Sequence, residues 1–362
     1  MKNRLYIICL LSVFCLGITN VFAQESEHEE AAELDVISMI FEHVGDAYSW
    51  HIVTIGHRHI SIPLPVIVKG QTSGWHVFSS SKFGHGHDSY LGFSIAEDGD
   101  YKNKIVETLA DGTQIRPWDF SLTKTAVALL MSAIILIVVI VSCANWYKKR
   151  IGKPEESSPK GFVAFMEMTI MGIVDDIIKP CVGKNYKRYT PYLLTVFFFI
   201  IVNNIIGLIP VFPGGANVTG NIAVTFVLAM FTFVIVNIFG SKEYWKEIFW
   251  PDVPVWLKIP PIIPLIELIG IFTKPFALMV RLFANILAGH SIVLGLVSIV
   301  FITVSMGALG NGLMSGFSVI MTIFINFIEL LVAYVQAYVF TMLSAVFIGL
   351  SQVEPHHKSI TN

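Results

Sequence analysis

Charge is scarce in this chain. Asp, Glu, Lys and Arg make up 14% of its 362 residues and nearly cancel, with 24 basic and 26 acidic side chains. No basic block is long enough to track phosphates, which excludes nucleic-acid partners. Cysteine is scarce as well: Cys9 and Cys15 lie near the N-terminus and only Cys143 and Cys181 remain, so no disulfide framework is implied. There is no phosphate-binding glycine loop, nucleophile elbow or metalloprotease histidine spacing. The sequence therefore offers no catalytic constellation and implies no cofactor.

Apolar side chains are what the chain has in plenty, at 54% of residues and a mean hydropathy of +0.68. That balance belongs to a polytopic membrane protein. Residues 1–23 read as a signal peptide: Lys2 and Arg4 lead, residues 5–16 are apolar, and Val21-Phe22-Ala23 offers a small-residue cleavage site. Residues 24–122 read as an extracytoplasmic, periplasmic module. Residues 32–44 have helical periodicity, and the apolar runs 60–68 and 75–78, broken by Gly, Pro and Ser, predict a small β-rich fold. His57-Arg58-His59 and His85-Gly86-His87 lie here. Such pairs can bind a transition metal, but no Cys, Asp or Glu supplies a third ligand, and the reading is a polar strand face without metal.

Residues 123–354 read as an all-α membrane domain, followed by a cytoplasmic tail, 355–362. Residues 124–145, 191–210 and 221–239 are each long enough for the roughly 20 residues that cross a bilayer. The connection 148–188 is rich in Lys and Arg, whereas 211–220 and 307–312 carry no charge. By the positive-inside rule the first is cytoplasmic, Cys181 with it, and the C-terminus is cytoplasmic too, in a multi-pass inner-membrane protein. The apolar runs 262–306 and 313–353 would each be on the order of 60 Å long as helices, twice the bilayer core. They predict a long, steeply tilted antiparallel hairpin that turns in the glycine-rich stretch 307–312.

The hairpin carries Glu267, Lys274, Arg281, Asn285, His290, Glu329 and Gln336. An ionisable group at mid-bilayer costs at least about 2.5–3.5 kcal/mol, so each marks a functional site by default. Glu267, Lys274 and Arg281 stand seven apart and share a face; Asn285 is one turn on, and His290 turns to the opposite face. In an antiparallel pair, level residues have a constant sum of positions. Arg281 with Gln336 and His290 with Glu329 satisfy this to within about 3 Å of rise. His290 and Glu329 can exchange protons near neutrality once burial raises the carboxyl. Arg281 stays protonated and has no carboxylate level with it, so its partner is expected on another chain.

At these residues the chain resembles subunit a of the F-type ATP synthase. The resemblance rests on Glu267-x6-Lys274-Pro275-x5-Arg281-Leu282-Phe283-x-Asn285-x-x-Ala288-Gly289, on Asn204-Ile205-Ile206-Gly207-Leu208-Ile209-Pro210, on Asn217-Val218-Thr219, and on Gln336-Ala337-Tyr338-Val339-Phe340, across about residues 120–353. It implies a non-catalytic stator subunit that faces a c-subunit ring through two offset half-channels, with b subunits of the peripheral stalk and other synthase subunits as partners. Arg281 would separate the half-channels. Asn285, His290, Glu329 and Gln336 would line the periplasmic path and Glu267 the cytoplasmic one, with Lys274 and Asn204 as structural polar groups. Some bacterial members carry Glu and His where this chain has His290 and Glu329, an exchange that keeps the acid–imidazole pair. Two other classes fit part of the sequence. One is a secondary transporter, which needs an internal repeat that the chain lacks. The other is a metal-binding envelope protein whose membrane part is an anchor.

Overall fold

The computed structural model describes residues 45–55, 58–71, 73–86, 88–97, 99–109, 112–150, 158–209, 214–250 and 262–352. The expected signal peptide, the helix predicted at 32–44 and the tail 355–362 lie outside them.

The expected β-rich module precedes the helices. Its strands are β1 (Ser49–Ile55), β2 (Arg58–Pro63), β3 (Pro65–Gly70), β4 (Gly74–Ser79), β5 (Phe93–Ile95), β6 (Ile105–Thr108), β7 (Gln114–Ile115) and β8 (Trp118–Asp119). They form three small antiparallel sheets, ordered β1-β2, β4-β3-β8 and β5-β6-β7. Strand β3 alternates Val66 and Val68 inward with Pro65 and Lys69 outward, as one buried and one open face require. The inward residues pack on Phe83, Phe93, Ile105 and Tyr48.

The module is fixed to the first membrane helix, α1 (Lys124–Lys148). Thr123 caps that helix, its Oγ1 accepting from Ala126 N at 3.3 Å. Two further N–H groups of the first turn, which have no intrahelical partner, bond back to the module: Lys124 N donates to Ala47 O at 2.8 Å and Thr125 N to Asp46 Oδ1 at 3.0 Å. Trp50 packs with Ala128, Ala216 and Val218 beside this junction. Further along α1, Leu130, Ile134, Ile137, Val138 and Val141 are exposed, the signature of a helix surrounded by lipid.

The other helices are α2 (Phe162–Ile173), α3 (Tyr186–Leu208), α4 (Ile222–Ile238), α5 (Lys242–Phe249), α6 (Ile262–Ile302) and α7 (Gly307–Ser351). Among the described residues four helical stretches are long and apolar enough to cross a membrane, or five if α4 and α5, bent by 96° at their break, form one span. The β-rich module and the helical membrane domain thus stand as expected.

Three expectations need correction. Part of the predicted loop 148–188 is helical: α2 runs through a π-helical turn, Val174–Ile178, and a short helix, Lys179–Val182, which contains Cys181. Its apolar residues Met166, Ile173, Ile177 and Ile178 join the membrane-domain core; the surrounding lysines obscured them in the sequence. The second predicted span starts earlier than Pro191, at Tyr186, and the proline lies inside the helix. The turn of the long pair is Thr303–Met306, and the glycine-rich run forms the first turns of α7. Only Gly307 needs a left-handed backbone there, with φ +78°.

Candidate functional site

Helices α6 and α7 run back along one another. Their polar contacts pair Asn285 with Gln336, His290 with Glu329, Leu296 O with Ser318 Oγ, and Thr303 with Asn311. Residue numbers fall on one helix as they rise on the other, as antiparallel packing demands. Small residues of α7, Ala333, Ala337, Ser344 and Ala345, are fully or almost fully buried; Ala333 O accepts from Asn204 of α3 and Ser344 bonds Thr232 of α4, close approaches that small side chains permit.

The His290–Glu329 pair stands as the sequence predicts. His290 Nδ1 lies 2.5 Å from Glu329 Oε1, with side-chain exposures of 18% and 5%. That oxygen has no hydrogen bond of good alignment among the described residues. Gly289 makes room for it: a Cβ there would meet Glu329 Oε1 at 2.9 Å and Cδ at 3.0 Å. His290 faces Gly207 of α3, where a Cβ would stand 3.7 Å from Nε2. His290 and Glu329 border a crevice with Asn203, Asn204, Asn217 and Thr219, packed so closely that no water-sized space remains.

Asn204 ties that crevice together. Its Oδ1 accepts from Thr219 Oγ1 at 2.6 Å and its Nδ2 donates to Ala333 O at 3.3 Å, one helical turn from Glu329. Neighbouring Asn203 is buried, with Nδ2 bonded to Phe199 O and Oδ1 without a partner, and Asn217 Nδ2 also lacks one. Sequence reasoning missed Asn203 and the space-making role of Gly289. A double Asn inside an apolar helix was the available signal for the first; the second needs the partner helix.

Arg281 sits differently. It is exposed on α6, as is Asn285 beside it, whereas Leu278, Leu282 and Ile286 of the same helix are buried. Among the described residues no carboxylate pairs with it. The predicted level partner, Gln336, is instead held by Asn285, whose Nδ2 donates to Gln336 Oε1 at 2.9 Å. Level position alone does not decide which side chain of α6 bonds Gln336. Glu267 is exposed near the start of α6, and Lys274 places its Nζ 6.0 Å from the centre of the Phe347 ring. The four paired histidines of the module lie among residues whose side chains are not described. Among the described residues no three metal-ligating groups cluster.

The family model for the ATP synthase A chain matches residues 126–349, more than half of the chain. The chain belongs to the ATP synthase A chain family. All eight polar residues singled out by sequence lie inside the match. Several curated relatives are named ATP synthase subunit a. That of Chlorobium phaeobacteroides strain DSM 266 is 42% identical over 246 residues, 66% of this chain and 68% of the relative. That of Chloroherpeton thalassium is 38% identical, over 67% and 70% of the two chains, and that of Myxococcus xanthus 39%, over 66% and 75%. A second family model, a domain of unknown function (DUF8433), matches residues 39–120 and so covers the β-rich module of this ATP synthase A chain family member.

Proposed function

We propose that this chain is the proton-translocating stator subunit of an F-type ATP synthase membrane sector, and that Arg281 is the electrostatic gate facing its c-subunit ring. The observation that carries this reading is the contrast between Arg281 and its neighbours. Asn285 pairs with Gln336 and His290 with Glu329 inside the chain, while an arginine on an apolar helix points outward without an acidic partner among the described residues. A guanidinium in that setting calls for a carboxylate on another chain, since an unpaired charge in lipid is costly.

In this mechanism a proton reaches Glu329 and His290 from the periplasmic side and passes along the Asn285–Gln336 pair. It neutralises a ring carboxylate that has just left Arg281. The neutral carboxyl turns through lipid, where its charged form would be too costly. It loses the proton near Glu267 on the cytoplasmic side and is drawn to Arg281 again. Arg281 does not relay protons, because a guanidinium does not give up its proton in proteins; it keeps the two half-channels apart. Each charge moved across 100 mV contributes about 2.3 kcal/mol, which drives rotation. Helices α6 and α7 hold 41 and 45 residues, roughly 60–70 Å at about 1.5 Å per residue. Such lengths support the steep tilt proposed for the pair. The b subunits of the peripheral stalk and the other synthase subunits complete the assembly, with the β-rich module periplasmic and the C-terminus cytoplasmic.

The test is proton-driven ATP synthesis in vesicles carrying the complex with Arg281→Ala. Synthesis is expected to vanish while the complex still assembles; retained coupled synthesis would refute the gate.

A further inference from the structure

The outer face of the β4-β3-β8 sheet is an apolar surface that the rotor mechanism does not use. Lys69 of β3 stands between Trp75 of β4 and Trp118 of β8, and Ile67 is level with Val77. Phe120 N donates to Ile67 O at 2.9 Å, which continues the β8 edge toward α1. Trp75, Val77, Trp118 and Phe120 are 59%, 71%, 69% and 56% exposed. The inward side of the same sheet is closed over Val66 and Val68, so the exposure is confined to one face.

Soluble surfaces rarely leave two tryptophans, a phenylalanine and a valine together in water; such a patch marks an interaction site. Two features decide its occupant. The first is position: Phe120 is four residues from Lys124, the start of α1, a reach of at most about 14 Å. The junction is held by the bonds from Lys124 and Thr125 to Ala47 and Asp46, and by Trp50 against Ala128. The module therefore sits where the lipid-facing helix emerges from the bilayer. The second is charge. Among the described residues Lys69 stands between the two tryptophans of this face, with its Nζ 5.8 Å from the centre of the Trp75 ring. Its Tyr48-bonded neighbour Asp119 is turned to the inner side. Tryptophan is enriched at the headgroup level, where an apolar ring with a polar N–H suits the wet boundary, and lysine reaches phosphate from an apolar setting.

We propose that this sheet face lies in the lipid headgroup region of the leaflet from which α1 starts, with Trp75, Val77, Trp118 and Phe120 in the boundary and Lys69 on a lipid phosphate. The module then acts as a foot that braces α1 against the membrane.

The test places a spin label at Val77→Cys and, as an aqueous reference, at exposed Gln114→Cys, in the full chain with Cys9, Cys15, Cys143 and Cys181 replaced, reconstituted in vesicles of phosphatidylcholine with or without phosphatidylglycerol. Val77 is mostly exposed, so the label displaces no core. Collision with dissolved oxygen relative to a water-soluble nickel chelate should be severalfold higher at position 77 than at 114, and Lys69→Glu should reduce that ratio more with phosphatidylglycerol present. Equal ratios at the two positions would overturn the proposal in favour of a face open to water. A label at 77 shielded from both reagents would overturn it in favour of a protein partner, a second copy of this chain included.

Discussion

Asn285 donates from Nδ2 to Gln336 Oε1 at 2.9 Å, one turn of α6 beyond the exposed Arg281. Gln336 is 3% exposed. This bond joins α6 to α7, and it leaves the Gln336 Nε2 donor without a partner among the described residues.

The pair should act as a unit. Asn285→Leu and Gln336→Leu should each reduce proton-driven synthesis, because each leaves a polar group of the other unpaired at about 1–3 kcal/mol. The double variant should lose less than the two single losses combined, with a coupling between about 0.5 and 3 kcal/mol. A double-mutant cycle on synthesis rate measures this. Additive effects would show that the bond has no part in proton movement.

Gly289 should matter through Glu329. A methyl at 289 meets the carboxylate, the movable end of a side chain, so Glu329 shifts from His290 and the helices stay packed. Passive proton conduction in vesicles stripped of the catalytic sector should fall in Gly289→Ala toward the level of Glu329→Gln. Glu267→Gln, at an exposed position, should slow it less than Glu329→Gln.

Gly349 is a packing position of another kind. A Cβ there would collide with the backbone carbonyl of Cys181, which has no rotamer by which to yield. Gly349→Ala should cost more than about 3 kcal/mol, the upper range for overpacking. Gly295→Ala, with open space at its Cβ, should be neutral or stabilising by up to about 1 kcal/mol through helix propensity. Thermal unfolding in detergent separates the two.

The module should weaken in alkali. Burial first, and then the hydrogen bond to Asp119 and its charge, push the Tyr48 phenol well above its ordinary range. The neutral form is therefore favoured by folding. Its contribution is complete below the unfolded value near 10 and is lost as pH rises through the folded one. Stability measured from pH 9 upward should decline in the parent and decline less steeply in Tyr48→Phe, which would start lower by about 1 kcal/mol for the lost hydrogen bond.

Much of this architecture is legible in the sequence because lipid imposes a strict rule: backbone polar groups must be satisfied within helices, and charges must have reasons. Hence the long pair α6 and α7 and the His290–Glu329 contact follow from spacing alone. The bonding partner of Gln336 does not, since constant-sum arithmetic gives height and not which side chain reaches; the bond goes to Asn285. Helix α2 is hidden because its apolar side lies between lysine-rich flanks and is read by charge first. The space at Gly289 and the partner of Asn204 depend on another helix's position, which no local pattern contains. The outward aromatic face of the sheet is written in the alternation of Trp75 and Val77, but its edge position needs the strand order.

The most direct measurement of the central claim is disulfide cross-linking from Ala284→Cys, exposed three residues beyond Arg281 on the same side of α6, to cysteines placed beside the ion-binding carboxylate of the c subunit. The gate requires rapid cross-linking in the assembled complex, faster than from Ile286→Cys on the buried face. Cross-linking absent from position 284, or equal from the two positions, would contradict the account.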